Sequence, residues 1–314
     1  MTASTARDAA PAPGGSVAGS IYDLGYRNYD GPRLGRRQAL RALFVQTVKA
    51  CYGIGRGGRA KLAPIVLGAL ATIPAIVAVG ALALLRQAGA PGEFAEQASP
   101  VRHETYYSLI VTLVILFCAA QAPETMGRDQ RYSLLSLYFS RALHRTDYAV
   151  ARFAGIVASV FLFVLLPQAV IFFGLVLSSL DVASEFAREA AFVPAILYQG
   201  LLLALVLGGV SAVVSAFTPR RAYATTAIIV VLAVTPIVGA VLIDLGTRQL
   251  GTLLALLSPV DVLDGTNAFF FDAYPESTVV RQADLPLAAF VVAAVGLSAA
   301  CLGILVWRFR RITA

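Results

Sequence analysis

Apolar and polar positions fall in long blocks along the 314-residue chain. Six stretches, residues 62–85, 105–122, 154–178, 192–216, 222–243 and 286–307, are almost wholly apolar. Each is close to the ~20 residues that a bilayer-crossing helix needs. None carries a central Asp, Glu, Lys or Arg, each of which costs about 2.5–3.5 kcal/mol at a helix centre. The pattern predicts an all-α integral membrane fold with six transmembrane helices. Only "TPRRA" separates the fourth stretch from the fifth, so Pro219, Arg220 and Arg221 mark a tight hairpin. Pro74, Pro167 and Pro236 interrupt spans and suggest shaped or moving helices.

Three further segments are sticky without being span-like. Leu40, Leu43, Phe44, Thr47, Val48, Cys51 and Tyr52 recur at helical spacing, with Arg36, Arg37, Arg41 and Lys49 off that face. This predicts an N-terminal amphipathic helix lying in the membrane interface. Residues 123–141, "PETMGRDQRYSLLSLYFSR", are too polar to stay in lipid. At Leu134, Leu135, Leu137, Tyr138 and Phe139 they are too apolar for a plain solvated loop. A polar helix with an apolar stripe suits a docking surface for a cytoplasmic partner, and equally a second helix lying on the membrane. In residues 244–285, "RQLGTLLALLSPVDVLDG" is apolar but broken at Pro259, and "NAFFF" follows. Here we expect one or two short helices dipping into the outer leaflet under protein cover, an outer re-entrant hairpin. An interfacial aromatic anchor is compatible with it.

Composition reinforces this picture. Hydrophobic residues make up 58% of the chain and charged residues 14%, against about 25% charged in soluble domains. With the N-terminus inside, 20 of the 25 Lys and Arg fall on the inner side and 12 of the 18 acids on the outer. That places both termini in the cytoplasm. The net charge of +7 is then a topology signal, with anionic membrane lipid as its natural partner; no nucleic-acid partner is expected. Residues 1–20, rich in Ala, Pro, Gly and Ser, predict a disordered tail with no cleavable signal peptide. Residues 21–61 form the interfacial segment and residues 62–314 the six-span domain, leaving no room for a second globular domain. Three scattered cysteines, Cys51, Cys118 and Cys301, make no disulfide framework.

No catalytic constellation stands out. His103 and His144 fall on opposite sides of the membrane, and neither a His-Glu-x-x-His helix nor a Gly-x-Ser-x-Gly turn is present. No metal-ligand spacing occurs. "GIGRGGRAK" lacks the Gly-Lys-Ser/Thr ending of a phosphate loop and reads as a flexible basic elbow. His144 and Asp147 look like a helix-start pair, with Thr146 or Asp147 able to cap. The intramembrane acids and histidines that mark proton- or sodium-driven pumps are missing, so uphill transport would need an outside engine. Gln168 and Gln199 lie within spans and mark either a translocation path or interhelical glue.

The run "APE…RDQRYSLLSLYFSRALHRTDYAVARF" resembles the loop after the second span of ABC-2 type exporter permeases. Glu124, Asp129, Leu134, Leu135, Ser140, Arg141, Leu143, Arg145 and Tyr148 fit it, while Ala142 stands for a usual Pro and Arg152 for a usual Lys. "YDLGYRNYDGPRLGRR" is similar to the N-terminal stretch of actinobacterial members, and "LSPVDVLDG" to the step before their last span. The resemblance runs over nearly the whole chain from Ile21. It implies a non-enzymatic permease subunit of the bacterial inner membrane, working as a homodimer with twelve spans. Two copies of a separate ATPase subunit would bind below and carry the ATP and Mg; no cofactor is implied on this chain. The interfacial helix (Arg36, Arg37, Leu40, Arg41, Leu43, Phe44) and a coupling helix in the loop (Glu124, Asp129, Arg131, Leu134, Leu135, Tyr138, Phe139, Arg141) would transmit the ATPase motion. Within that loop Leu135 and Tyr138 should share a face that enters a partner pocket, flanked by Asp129 and Arg131 as rim charges. A membrane-embedded lipid-modifying enzyme and a non-transporting membrane anchor are the rival readings. An amphiphile, lipid or natural product suits the apolar bundle better than copper, because two Met, two His and three scattered Cys make a poor soft-metal path.

Overall fold

A computed structural model describes Gly31 and residues 35–89, 102–140, 143–179 and 181–311. The expected tail over residues 1–20, most of the stretch 22–37 that carries the N-terminal resemblance, Arg141 and Ala142 lie outside the described residues. Among the described residues every regular element is helical. In chain order they are α1 (Gly35–Cys51), α2 (Gly58–Gln87), α3 (His103–Ala122), a π-helical turn (Pro123–Gly127), α4 (Arg128–Arg131), α5 (Leu135–Phe139), α6 (Arg145–Leu177), α7 (Val182–Ala190), α8 (Val193–Phe217), α9 (Arg221–Asp244), α10 (Arg248–Leu257), α11 (Pro259–Phe271), α12 (Thr278–Gln282) and α13 (Leu287–Arg310). Six of these helical segments are long and apolar enough to cross a membrane: α2, α3 with its continuation to Arg131, α6, α8, α9 and α13.

The second of these segments outlasts its apolar stretch, and a proline explains how. Pro123 has no N–H to return to the Ala119 carbonyl four residues back. That carbonyl instead accepts from Thr225 Oγ1 of α9 at 2.9 Å. The helix widens into a π turn over Pro123–Gly127 and runs on as α4 instead of ending. Proline is absorbed elsewhere too, since Pro74, Pro167 and Pro236 all sit inside continuous helices.

The centre of the bundle is α6 against α8. Tyr107, Phe117, Tyr148, Leu203, Leu207, Phe290 and Phe309 are fully buried around them, and Phe117 stacks on Phe163 with ring centroids 4.6 Å apart. By contrast only 17% of the most apolar window is buried in α2, and the same share in α9. Those two helices therefore turn most of their apolar surface outward. Among the glycines at close approaches, Gly155 and Gly265 set two helix crossings. A Cβ on Gly155 would lie 2.6 Å from the Thr47 Cβ, so α1 can seat on α6 only because that carbon is missing. A Cβ on Gly265 would collide with the Phe290 ring, so α11 leans directly on α13.

Contacts between chain-distant residues define the two ends of the bundle. At one end Glu124 pairs with Arg56 at 3.5 Å and with Arg221 at 3.0 Å. Gln130 Nε2 donates to the Ala216 carbonyl at 2.9 Å, satisfying a group left open by the finish of α8. Arg145 reaches the Arg310 carbonyl at 3.2 Å. The start of α2, the end of α3, both ends of the α8–α9 hairpin and the end of α13 thus meet at one arginine-rich end. At the opposite end α10 and α11 form a broken pair bent by 83°. Ser258 at the break accepts from the Asp261 N–H at 3.4 Å and caps α11.

Candidate functional site

The arginine-rich end is built on a buried polar junction. Asp129 and Arg152, 5% and 2% exposed, form an ion pair. Tyr148 Oη donates to the same carboxylate at 2.8 Å. Arg152 also donates to Thr47 Oγ1 of α1 at 3.0 Å and reaches Tyr138 Oη of α5 at 3.5 Å. One guanidinium therefore ties α1, α4, α5 and α6 together, and its planar fork suits that task better than the point charge of a lysine. Arg36 adds a second clamp, donating to both Asp147 oxygens at 2.6 and 2.7 Å. Those bonds raise the Arg36 pKa above its ordinary value. Asp147 also accepts from the His144 N–H at 3.2 Å, capping α6 as its position suggests.

The expectations for this region change in detail. Leu135 and Tyr138 do share a face, but it turns inward: Leu135 is buried, and the Tyr138 and Phe139 rings sit 5.6 and 6.0 Å from that of Tyr148. Asp129 is a buried ion-pair partner, not a rim charge, because Arg152 of α6 packs against it. Glu124 is likewise spent on Arg56 and Arg221. The described residues that this loop leaves exposed are Arg128, Arg131, Tyr132, Ser133, Ser136, Leu137 and Ser140, with Tyr132 and Leu137 each 63% exposed. In α1, Leu43, Thr47 and Cys51 are buried against the bundle, Leu40 and Phe44 are half-buried, and Arg36, Arg37 and Arg41 are exposed. Burial pushes the Cys51 thiol up to about 11. Between α1 and α5 lies a largely apolar groove of about 580 Å³, lined by Ala39, Leu43, Leu134, Leu137, Tyr138 and Leu143.

The opposite end holds polar groups that the composition did not reveal. His103 Nδ1 lies 2.6 Å from Gln168 Oε1, and its Nε2 lies 3.0 Å from Glu189 Oε2. All three side chains are buried. Gln168, one of the two expected path residues, is thereby locked to His103, whose carbonyl also accepts from its Nε2 at 3.2 Å. Arg86 reaches Glu185 at 3.4 Å nearby. His103, Glu189, Arg86, Arg102 and Arg188 border a cavity of about 680 Å³. Gln199, the other path residue, lines an adjoining cavity of about 330 Å³ under α11 that shares Asn267 and Glu276 with the first. His103 and Glu189 lie 86 positions apart, as Asp129 and Arg152 lie 23 apart, so no local spacing announces either pair.

No protein-family model matches the chain, and no curated protein matches it. What the geometry defines is a helical chain with six membrane-length segments, a braced apolar groove at its arginine-rich end, and polar cavities at the other.

Proposed function

We propose that the chain is the membrane subunit of an ATP-driven exporter of the ABC-2 permease type, and that a separate ATPase subunit docks in the α1–α5 groove. The observation that carries this reading is the groove itself: the two segments that the resemblance assigns to coupling line one apolar cleft. Behind the cleft, Arg152 joins both of them to α6, so a push on α1 or α5 reaches a membrane-length helix. The ATPase lies on another chain because "GIGRGGRAK" cannot hold a nucleotide's phosphates in the manner of a phosphate loop. In this reading α1 is the interfacial helix, α5 the coupling helix, and the bent α10–α11 pair the re-entrant hairpin that shapes the exit. The arginine-rich end faces the cytoplasm of a bacterial cell. The outward apolar faces of α2 and α9 meet lipid and a second copy of the chain.

The test is purification of the tagged chain from its native membrane. A nucleotide-binding chain should copurify and hydrolyse ATP, while this chain alone should not. Tyr132→Ala with Leu137→Asp alters only exposed side chains, so it should insert normally. It should retain roughly one-thirtieth of the partner affinity, as expected when anchors worth about 2 kcal/mol or more are lost. Hydrolysis by the chain alone, or full partner recovery by the double variant, would contradict the reading.

A further inference from the structure

The nine residues of α7, "VASEFAREA", carry two acids and an arginine, yet this helix joins two of the membrane-length helices, α6 and α8. Residues four apart on a helix share a face, and this sorts the side chains of α7 into flanks. Glu185 and Glu189 turn inward and are 7% and 4% exposed. Glu185 accepts from Arg188 at 2.6 Å and from Arg86 of α2 at 3.4 Å. Glu189 Oε2 lies 3.0 Å from His103 Nε2 of α3. Ser184 and Arg188 form an exposed polar flank, and Arg188 borders the 680 Å³ cavity. Val182 and Phe186 form an apolar flank and are 49% and 51% exposed. A helix on a water-facing surface turns its apolar residues inward and its charges outward; α7 holds its acids inside and leaves its largest apolar side chains outside.

The apolar flank is not isolated. The Phe186 ring lies 5.9 Å from that of Phe172 on α6, which lies 5.3 Å from that of the exposed Phe173. Leu166 and Leu177 of α6 are exposed as well, and so are Phe192, just after α7, and Leu197 and Leu201 of α8. A contiguous exposed apolar surface marks a contact with protein or membrane. Continuity with the outward face of α6 selects the membrane, because lipid that covers Phe173 also reaches Phe186. Depth agrees. Residues 154–177 of α6 rise roughly 35 Å, slightly more than the ~30 Å hydrocarbon core, so the end of α6 lies at the outer boundary. Arg86 bonds Ser178 Oγ at 3.2 Å as well as Glu185, which holds α7 beside that end. The entry to α7 is satisfied internally too, since Asp181 Oδ1 accepts from the Ala183 and Ser184 N–H groups at 3.2 and 3.3 Å.

We propose that α7 lies in the outer leaflet at the boundary of headgroups and acyl chains, with Val182 and Phe186 against the chains of phospholipid. Charged groups at such a depth are stable when protein covers them, which is the state of Glu185 and Glu189. Arg188, on the other flank, faces the polar cavity, so α7 is the wall between that cavity and the lipid. This placement rests on α6 and α8 crossing a membrane and not on the exporter reading.

The test puts a nitroxide on single introduced cysteines of the full chain in phosphatidylcholine–phosphatidylglycerol vesicles; the native cysteines are buried. Collisions are read with oxygen, which concentrates among acyl chains, and with a neutral nickel chelate, which stays in water. Phe186→Cys is compared with Leu197→Cys on α8 as the lipid-facing reference and with Tyr274→Cys, 77% exposed after α11, as the water-facing one. The oxygen-to-chelate ratio at position 186 should match that at 197 and exceed that at 274 several-fold. Val182→Cys, on the same flank, should behave alike and serves if Phe186→Cys misfolds. A ratio at these positions equal to that at 274 would mean a solvated helix and overturns the proposal. Shielding from both reagents overturns it too, since a second copy or another protein would then cover the flank; broadening between labels would identify the second copy. Chelate access at position 197 would remove the six-span arrangement and this placement with it, whether or not an ATPase partner copurifies.

Discussion

Removing one partner of the Asp129–Arg152 pair leaves the other as a buried, unpaired charge, which typically costs about 3–5 kcal/mol. Asp129→Ala and Arg152→Met should each lower thermal stability strongly, whereas Asp129→Leu combined with Arg152→Met should recover most of the loss. Equal loss in the single and double variants would show that the ion pair is not the source. Cys51 gives a pH test. Burial raises its thiol to about 11, against about 8.5 for a free thiol, and the thiolate is the reactive form. Maleimide labelling of the folded protein should therefore stay slow near pH 8 and rise only toward the raised pKa. The unfolded chain should label readily near pH 8; fast labelling of the folded chain there would contradict the buried placement. At this scale the sequence told residue type better than direction. Asp129 and Leu135 stood out within a polar, sticky segment, but an inward turn depends on Arg152 and Tyr148, which belong to another helix. Gln199 was legible as a polar residue in an apolar run; its bond to the Leu263 carbonyl of α11 depends on a helix 64 positions away.

The helices were legible wherever the apolar run exceeded a membrane's thickness, because length and hydrophobicity alone decide such elements. The continuation of α3 was not, since it needs Thr225 to take over the carbonyl freed by Pro123. The seat of α1 on α6 was hidden as well, because one glycine decides it. Gly155→Val should push Thr47 away and break its bond to Arg152, at a cost of about 1–3 kcal/mol typical of overpacking. It should also open Cys51 to maleimide. Unchanged melting together with unchanged labelling would show that α1 is not held at this crossing. The bent α10–α11 pair was readable as a broken apolar stretch from Pro259, but the cap on Ser258 and the lean of Gly265 on Phe290 are tertiary facts.

On the scale of the whole molecule, the lysine and arginine distribution and the end-to-end contacts agree that residues 128–140, 143–152, 217–223 and 305–311 gather at one end. Cysteine introduced at Ser136 should label only from the cytoplasmic side and at Ser277 only from outside. Native cysteines contribute little background, because Cys51, Cys118 and Cys301 are all buried. Labelling at both positions from one side would overturn the six-span arrangement. A separate ATPase that engages the α1–α5 groove should be captured there by photo-crosslinking in native membranes. A photoreactive residue replacing Leu137, 63% exposed beside the groove, is compared with one replacing Tyr274, 77% exposed at the opposite end. A crosslinked nucleotide-binding chain is expected from position 137 and none from position 274. Crosslinks to that chain from position 274, or none from position 137 while transport remains ATP-dependent, would contradict it.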